Sequence, residues 1–112
     1  MRIALAISLA ALVAAGSGLS GQSTPSAQGA GTGAEIFADK CVFCHDTGGW
    51  GTRSLARRVP ADEARLTDRK TLPAPYTAMV VRRGIGSMPP FNPSELSDEE
   101  IAIVARWLEQ GA

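Results

Sequence analysis

Apolar side chains recur at helical intervals in three stretches of the chain. In the first, AEIFADKCVFCH, Phe37, Cys41 and Cys44 follow i, i+4, i+7 spacing, which gathers them on one face of a helix. The second covers residues 75–83, where Pro75 suits a first-turn position, Tyr76, Met79 and Val80 share a face, and Gly84 stops the helix. The third is the most fully punctuated. Ser97 stands as N-cap with Glu100 three residues on as its capping-box partner, and Asp98, Glu99 and Glu100 lie near the positive helix end. Ile101, Val104, Ala105 and Leu108 then form its apolar stripe. Between the first two helices, residues 46–72 mix Gly48, Gly49, Gly51 and Pro60 with many charges, which predicts turns and one short helix at 54–58. No strand pattern or repeat emerges, so the expected class is all-α.

Ahead of the first helix the pattern changes character. MRIALAISLAALVAAGSG opens with one cation, runs apolar from Ile3 to Ala15 and then turns small and polar. That is the profile of a secretory signal peptide, assigned here to residues 1–20. Its apolar run is shorter than the roughly 20 residues a helix needs to cross a membrane, so no stable span is expected after cleavage; uncleaved, it would act as an anchor. Residues 21–32 are rich in Gly and Ser and nearly free of large apolar groups, which predicts a flexible linker. Residues 33–112 remain as the folded domain. At that size an apolar core alone rarely supplies more than about 3 to 5 kcal/mol.

Charge excludes one class of partner. Lys and Arg number 11 against 11 Asp and Glu, so the basic excess that marks nucleic-acid binders is missing. The charges are nonetheless uneven: residues 53–83 are mainly cationic, and residues 95–109 mainly acidic. Arg82 and Arg83 are therefore expected to help form a basic rim that steers an acidic partner.

The chemistry concentrates in Cys41, Val42, Phe43, Cys44 and His45, which spell C-x-x-C-H, the attachment pattern of c-type haem. On a helix, Cys41, Cys44 and His45 sit at i, i+3 and i+4. Two thiols then reach adjacent vinyl groups on the ring edge while the imidazole comes up beneath the iron. Three other uses of such cysteines have to be weighed. A thioredoxin-like redox pair belongs beside a strand-helix-strand pattern, a structural zinc site wants four ligands, and an exported protein can close a disulfide. The chain offers almost no strand, only two Cys and one His.

A sixth iron ligand must come from elsewhere, and after leader removal the neutral candidates are Met79 and Met88. Met79 lies beside Val80 on a predicted apolar helix face, where core packing is the expected use. Met88 sits in GIGSMPPFNP, where Gly84 and Gly86 permit unusual backbone angles and Pro89 and Pro90 stiffen the chain on its far side. Candidate partners for the haem propionates are Arg53, Arg57, Arg58, Trp50 and Tyr76.

Taken together, CVFCH, GIGSMPPF and the final SDEEIAIVARWLEQ resemble the class I c-type cytochromes, over residues 33–110. The resemblance implies a cytochrome c fold, three main helices plus loops wrapped around one covalent haem c. It also implies that the first and last helices pack through Gly33 and Phe37 against Val104 and Trp107. Many members follow the haem motif with Gly-Pro and a carbonyl that accepts the histidine ring N–H; here Gly51 is followed by Thr52. The stretch VVRRGIGSMPPF is similar to small bacterial cytochromes, including the cytochrome subunit of p-cresol methylhydroxylase.

With His45 and Met88 both on the iron, no position is open to substrate or dioxygen, and the implied role is a periplasmic one-electron carrier. Its expected partners are redox proteins, a dehydrogenase donor and an oxidase or other acceptor. Two alternatives stand beside it: an electron-accepting subunit of a flavin- or quinone-dependent dehydrogenase, and an open-site haem sensor or peroxidase.

Overall fold

The computed structural model describes residues 30–112. The leader at 1–20, and the linker as far as residue 29, lie outside the described residues. Five α-helices follow one another: α1 (Gly33–Lys40), α2 (Val42–His45), α3 (Trp50–Leu55), α4 (Ala74–Arg83) and α5 (Asp98–Glu109). Two single 3-10 turns, Ala61–Glu63 and Leu66–Asp68, bridge α3 and α4. Among the described residues there is no strand, only an isolated bridge between Ile85 and Met88. The fold is all-α, as the hydrophobic spacing implies.

Local chemistry explains where the helices begin and stop. Ser97 and Glu100 close the expected capping box on α5. Thr32 and Glu35 close a second one on α1, with the Thr32 N–H donating to Glu35 Oε2 at 2.7 Å. The first backbone N–H of α4, on Ala74, donates to Glu109 Oε1 at 2.9 Å, so α5 caps its neighbour. At the other end of α4, Gly84 takes a φ of +73° that L side chains avoid.

The core forms where α1 and α4 pack against α5. Ile36, Phe37, Leu72, Val81, Leu96, Ile101, Val104 and Leu108 are buried together, each worth about 1.5–3 kcal/mol against its exposed state. The expected crossing of the first and last helices is present. A Cβ on Gly33 would lie 2.2 Å from Trp107 Cβ, so only glycine lets the two backbones come this close. Phe37 and Trp107 meet as tilted rings with centroids 5.4 Å apart.

Two helices depart from the sequence expectation. The first breaks at Cys41, whose backbone (φ −120°, ψ −33°) ends α1 and serves as the N-cap of α2. The short helix in the next segment begins earlier than expected, at Trp50, because Gly49 takes the extended N-cap conformation.

The buried face of α4 also differs. Thr77 and Val81 are buried, whereas Tyr76 and Met79 are 48% and 42% exposed. Met79 is thus not a core residue. The helix turns Thr77 and Val81 inward, towards α5 and a cavity on the α2 side of the domain, and this rotates Met79 out to solvent.

Candidate functional site

The C-x-x-C-H run keeps its helical geometry despite the break at Cys41. Cys44 and His45 donate their backbone N–H groups to the Cys41 carbonyl at 3.2 and 3.0 Å, so one turn carries all three side chains. The thiols are not bonded to each other. Cys41 is half-buried against the core cluster, and burial pushes its thiol up to about 11, with smaller contributions from Asp39 and Cys44. A thiol held protonated in this way is a poor thiolate nucleophile, which argues against a thioredoxin-like redox pair. Among the described residues no cluster of three or more His, Cys, Asp or Glu side chains could hold a metal ion, which leaves the zinc reading without ligands.

His45 is oriented by packing. A Cβ on Gly51 would lie 2.8 Å from the imidazole Cε1 and 2.9 Å from Nδ1, so α3 can press its backbone against the ring only through glycine. Nδ1 itself is buried with no hydrogen-bond partner. The carbonyl acceptor common in the resembled family is therefore not matched by a bond here. Burial holds the ring below the ordinary imidazole value, which favours the neutral form with a lone pair free for a metal.

The segment after α4 is closed into a tight loop. Ile85 and Met88 exchange both backbone hydrogen bonds, at 3.1 and 3.0 Å, and the Phe91 N–H donates to the Val81 carbonyl at 2.9 Å. Gly84 and Gly86 both have positive φ, +73° and +58°, as their position in the sequence suggested. A Cβ on Gly84 would lie 2.6 Å from the Met88 carbonyl oxygen. The Trp50 indole N–H reaches Ser87 Oγ at 3.4 Å and ties the start of α3 to this loop.

Between these walls lies a cavity of about 470 Å³, within the size range of cofactor sites. Cys44, His45 and Met88 all line it, with apolar walls from Leu55, Leu66, Leu72, Val80, Val81 and Ile85. Cys41, the N-cap of the same turn, and Met79 are not among the lining residues. Of the candidate propionate partners, Arg58, Trp50 and Tyr76 line the cavity; Arg53 stacks over the Trp50 ring at 5.9 Å instead, and Arg57 does not reach it.

Among the lining residues to which the sequence assigned no role are Arg69 and Thr77, whose buried Nε and Oγ1 are unpartnered. Nothing local in the sequence distinguishes these two from solvated side chains.

The expected basic rim needs correction. Arg82 donates to the Phe91 and Leu96 carbonyls at 2.7 and 3.1 Å and pairs with Asp98. It pins the loop beyond Met88 onto α5, and its charge is already engaged, so it cannot serve as a free steering cation.

A flat, largely apolar group with a metal at its centre fits this cavity. The walls are apolar, burial favours the neutral form of the imidazole that lines one part of it, and Cys44 lines it as well, a donor set that suits such a group. The model of the family described as cytochrome c oxidase, cbb3-type, subunit III matches residues 28–108, and the chain belongs to that family of c-type cytochrome domains. Among curated proteins and among solved structures no match was found. Membership implies covalently bound haem c, an electron-transfer role and redox partners. Among the described residues, no helix is long and apolar enough to cross a membrane.

Proposed function

We propose that the chain is an exported, periplasmic one-electron carrier with haem joined through Cys41 and Cys44 and its iron held by His45 and Met88. The observation that carries this reading is that His45 and Met88 line one cavity with apolar walls, while Met79 is turned away from it. When bound, the haem supplies one-electron exchange between Fe(III) and Fe(II).

The chain's own residues do the rest. Gly51 fixes the plane of the His45 imidazole, and the bridge between Ile85 and Met88 presets the loop that carries the thioether. Leu55, Leu66 and Val80 give the cavity apolar walls that would exclude water from a bound haem. Held by both His45 and Met88, the iron would have no position open to a substrate. A thioether ligand favours the ferrous state, so the potential is high relative to a bis-histidine haem.

The test is carbon monoxide binding to the ferrous protein. The wild type should keep its absorption spectrum, and Met88→Ala should bind the gas and lose the weak long-wavelength ferric band of an iron–thioether bond. Immediate binding by the wild type would instead indicate the open-site sensor or peroxidase.

A second reading keeps the same site but places the chain as a held electron-accepting subunit of a larger oxidoreductase, such as a flavin- or quinone-dependent dehydrogenase. Phe43, 91% exposed within the haem-binding turn, favours it, because a large apolar side chain so placed suits a buried interface. Co-purification of a dehydrogenase or oxidase with the exported protein separates the two readings.

A further inference from the structure

The stretch that follows Met88 can do little to hold itself in place. Pro89 and Pro90 have no backbone N–H, so the two residues after Met88 cannot donate a hydrogen bond. The exchange between Ile85 and Met88 closes the near side of the loop. The far side is closed by the last turns of α4, which take both backbone polar groups of Phe91. Its N–H donates to the Val81 carbonyl at 2.9 Å, and its carbonyl accepts from Arg82 Nη1 at 2.7 Å. Arg82 Nη2 reaches further along the chain to the Leu96 carbonyl at 3.1 Å and pairs with Asp98 at the start of α5. One guanidinium therefore spans the exit of the loop.

These bonds do not carry equal weight. The Asp98 side chain is 91% exposed, and an ion pair in solvent contributes little. The Arg82 side chain is 27% exposed and Leu96 only 1%, so its bonds to the two carbonyls are charge-assisted in a partly shielded setting. The planar fork of arginine suits two acceptors at once, which the single ammonium of a lysine does not match.

We propose that Arg82 is the latch of the Met88 loop: by holding the Phe91 and Leu96 carbonyls it keeps the thioether on the iron, and without it the loop opens as a unit while the helices stay folded. This rests on the reading of Met88 as an iron ligand and adds the residue that controls the lifetime of that bond. Arg82 does not line the cavity, so it is a positioning residue that acts through the chain following Met88. A local opening of this kind exposes one iron position, and the rate at which an outside ligand binds follows the population of the open form.

The experiment times carbon monoxide binding to the ferrous, haem-loaded protein and follows the ferric iron–thioether band and the helical circular dichroism through one denaturant titration. The wild type should bind the gas only slowly. Arg82→Gln should bind it about tenfold faster or more, the factor expected from losing one charge-assisted hydrogen bond. Its band should also vanish at a lower denaturant concentration than its helix signal, with a wider gap between the two midpoints than in the wild type. Arg82→Lys, which keeps the charge but not the fork, should recover part of the difference. Gas binding by Arg82→Gln at the wild-type rate overturns the proposal. So does an equal shift of both midpoints, the mark of a residue that only stabilises the whole fold.

If Arg82→Gln yields no holoprotein, Arg82→Lys decides by the same two readings: faster binding with a wider gap supports the latch, and wild-type values overturn it. A haem-loaded wild type without the iron–thioether band would overturn the reading of Met88 itself, an outcome distinct from an intact band that the Arg82 variants leave unmoved.

Discussion

The two sides of this small domain are finished differently. Where α1 crosses α5, the chain completes its own structure: both helices carry capping boxes, Gly33 admits Trp107, and Val104 and Leu108 are closed off from water. On the other side, α2, α3, α4 and the Met88 loop surround a cavity of about 470 Å³. There His45 Nδ1, Arg69 Nε and Thr77 Oγ1 are buried without partners. Natural proteins pair nearly all such groups. The contrast fits the proposal that the cavity side is completed by a cofactor, which would add the apolar contact that so small a domain lacks.

The sharpest way to break the contrast is to remove the attachment. Cys41→Ala/Cys44→Ala should lose most helical circular dichroism, because the cavity side has too little apolar contact of its own. Native-like helix content would mean that the α1 and α5 side folds unaided. Gly33→Val attacks the opposite side: its added carbons collide with Trp107, and overpacking of this kind costs typically about 1–3 kcal/mol. Thermal melting of the holoprotein should show that loss while the iron–thioether band persists, since Gly33 and Trp107 are not among the residues that line the cavity.

Smaller effects are expected at the helix ends. Ser97→Ala removes the N-cap of α5 and should cost about 1 kcal/mol in denaturant unfolding. The mildest expected effect is with acid. Glu35 and Glu100 are held below the ordinary carboxylate range, first by the backbone N–H groups of Thr32 and Ser97 and then by their hydroxyls. A carboxylate whose folded value is depressed stabilises the fold above its unfolded value and loses that contribution as pH falls through the folded one. Unfolding midpoints of Glu35→Gln and Glu100→Gln should therefore decline less steeply than the wild type's below about pH 4.5.

What the sequence made legible is what local chemistry controls. Ser97, Glu100 and the stripe from Ile101 to Leu108 read directly as α5, since caps and 3.6-residue periodicity act within one helix. The C-x-x-C-H turn and the Gly84 and Gly86 loop are likewise written in consecutive residues. Residues whose roles depend on distant partners were not legible. Met79 reads as apolar and helical, yet the packing of α4 against α5 and the cavity decides which side is buried, and that side belongs to Thr77 and Val81. Arg82 looks like a surface cation until the loop brings the Phe91 and Leu96 carbonyls to it. Gly51 looks like a helix breaker, although α3 runs through it and His45 needs its missing side chain.

The central claim is that the open side of the domain is completed by haem bonded to Cys41 and Cys44. The intact mass of the purified protein under denaturing conditions tests it most directly. A mature chain heavier by one haem, with no thiol left to alkylate, is the expected result; the mass of the bare chain with two reactive cysteines would contradict it.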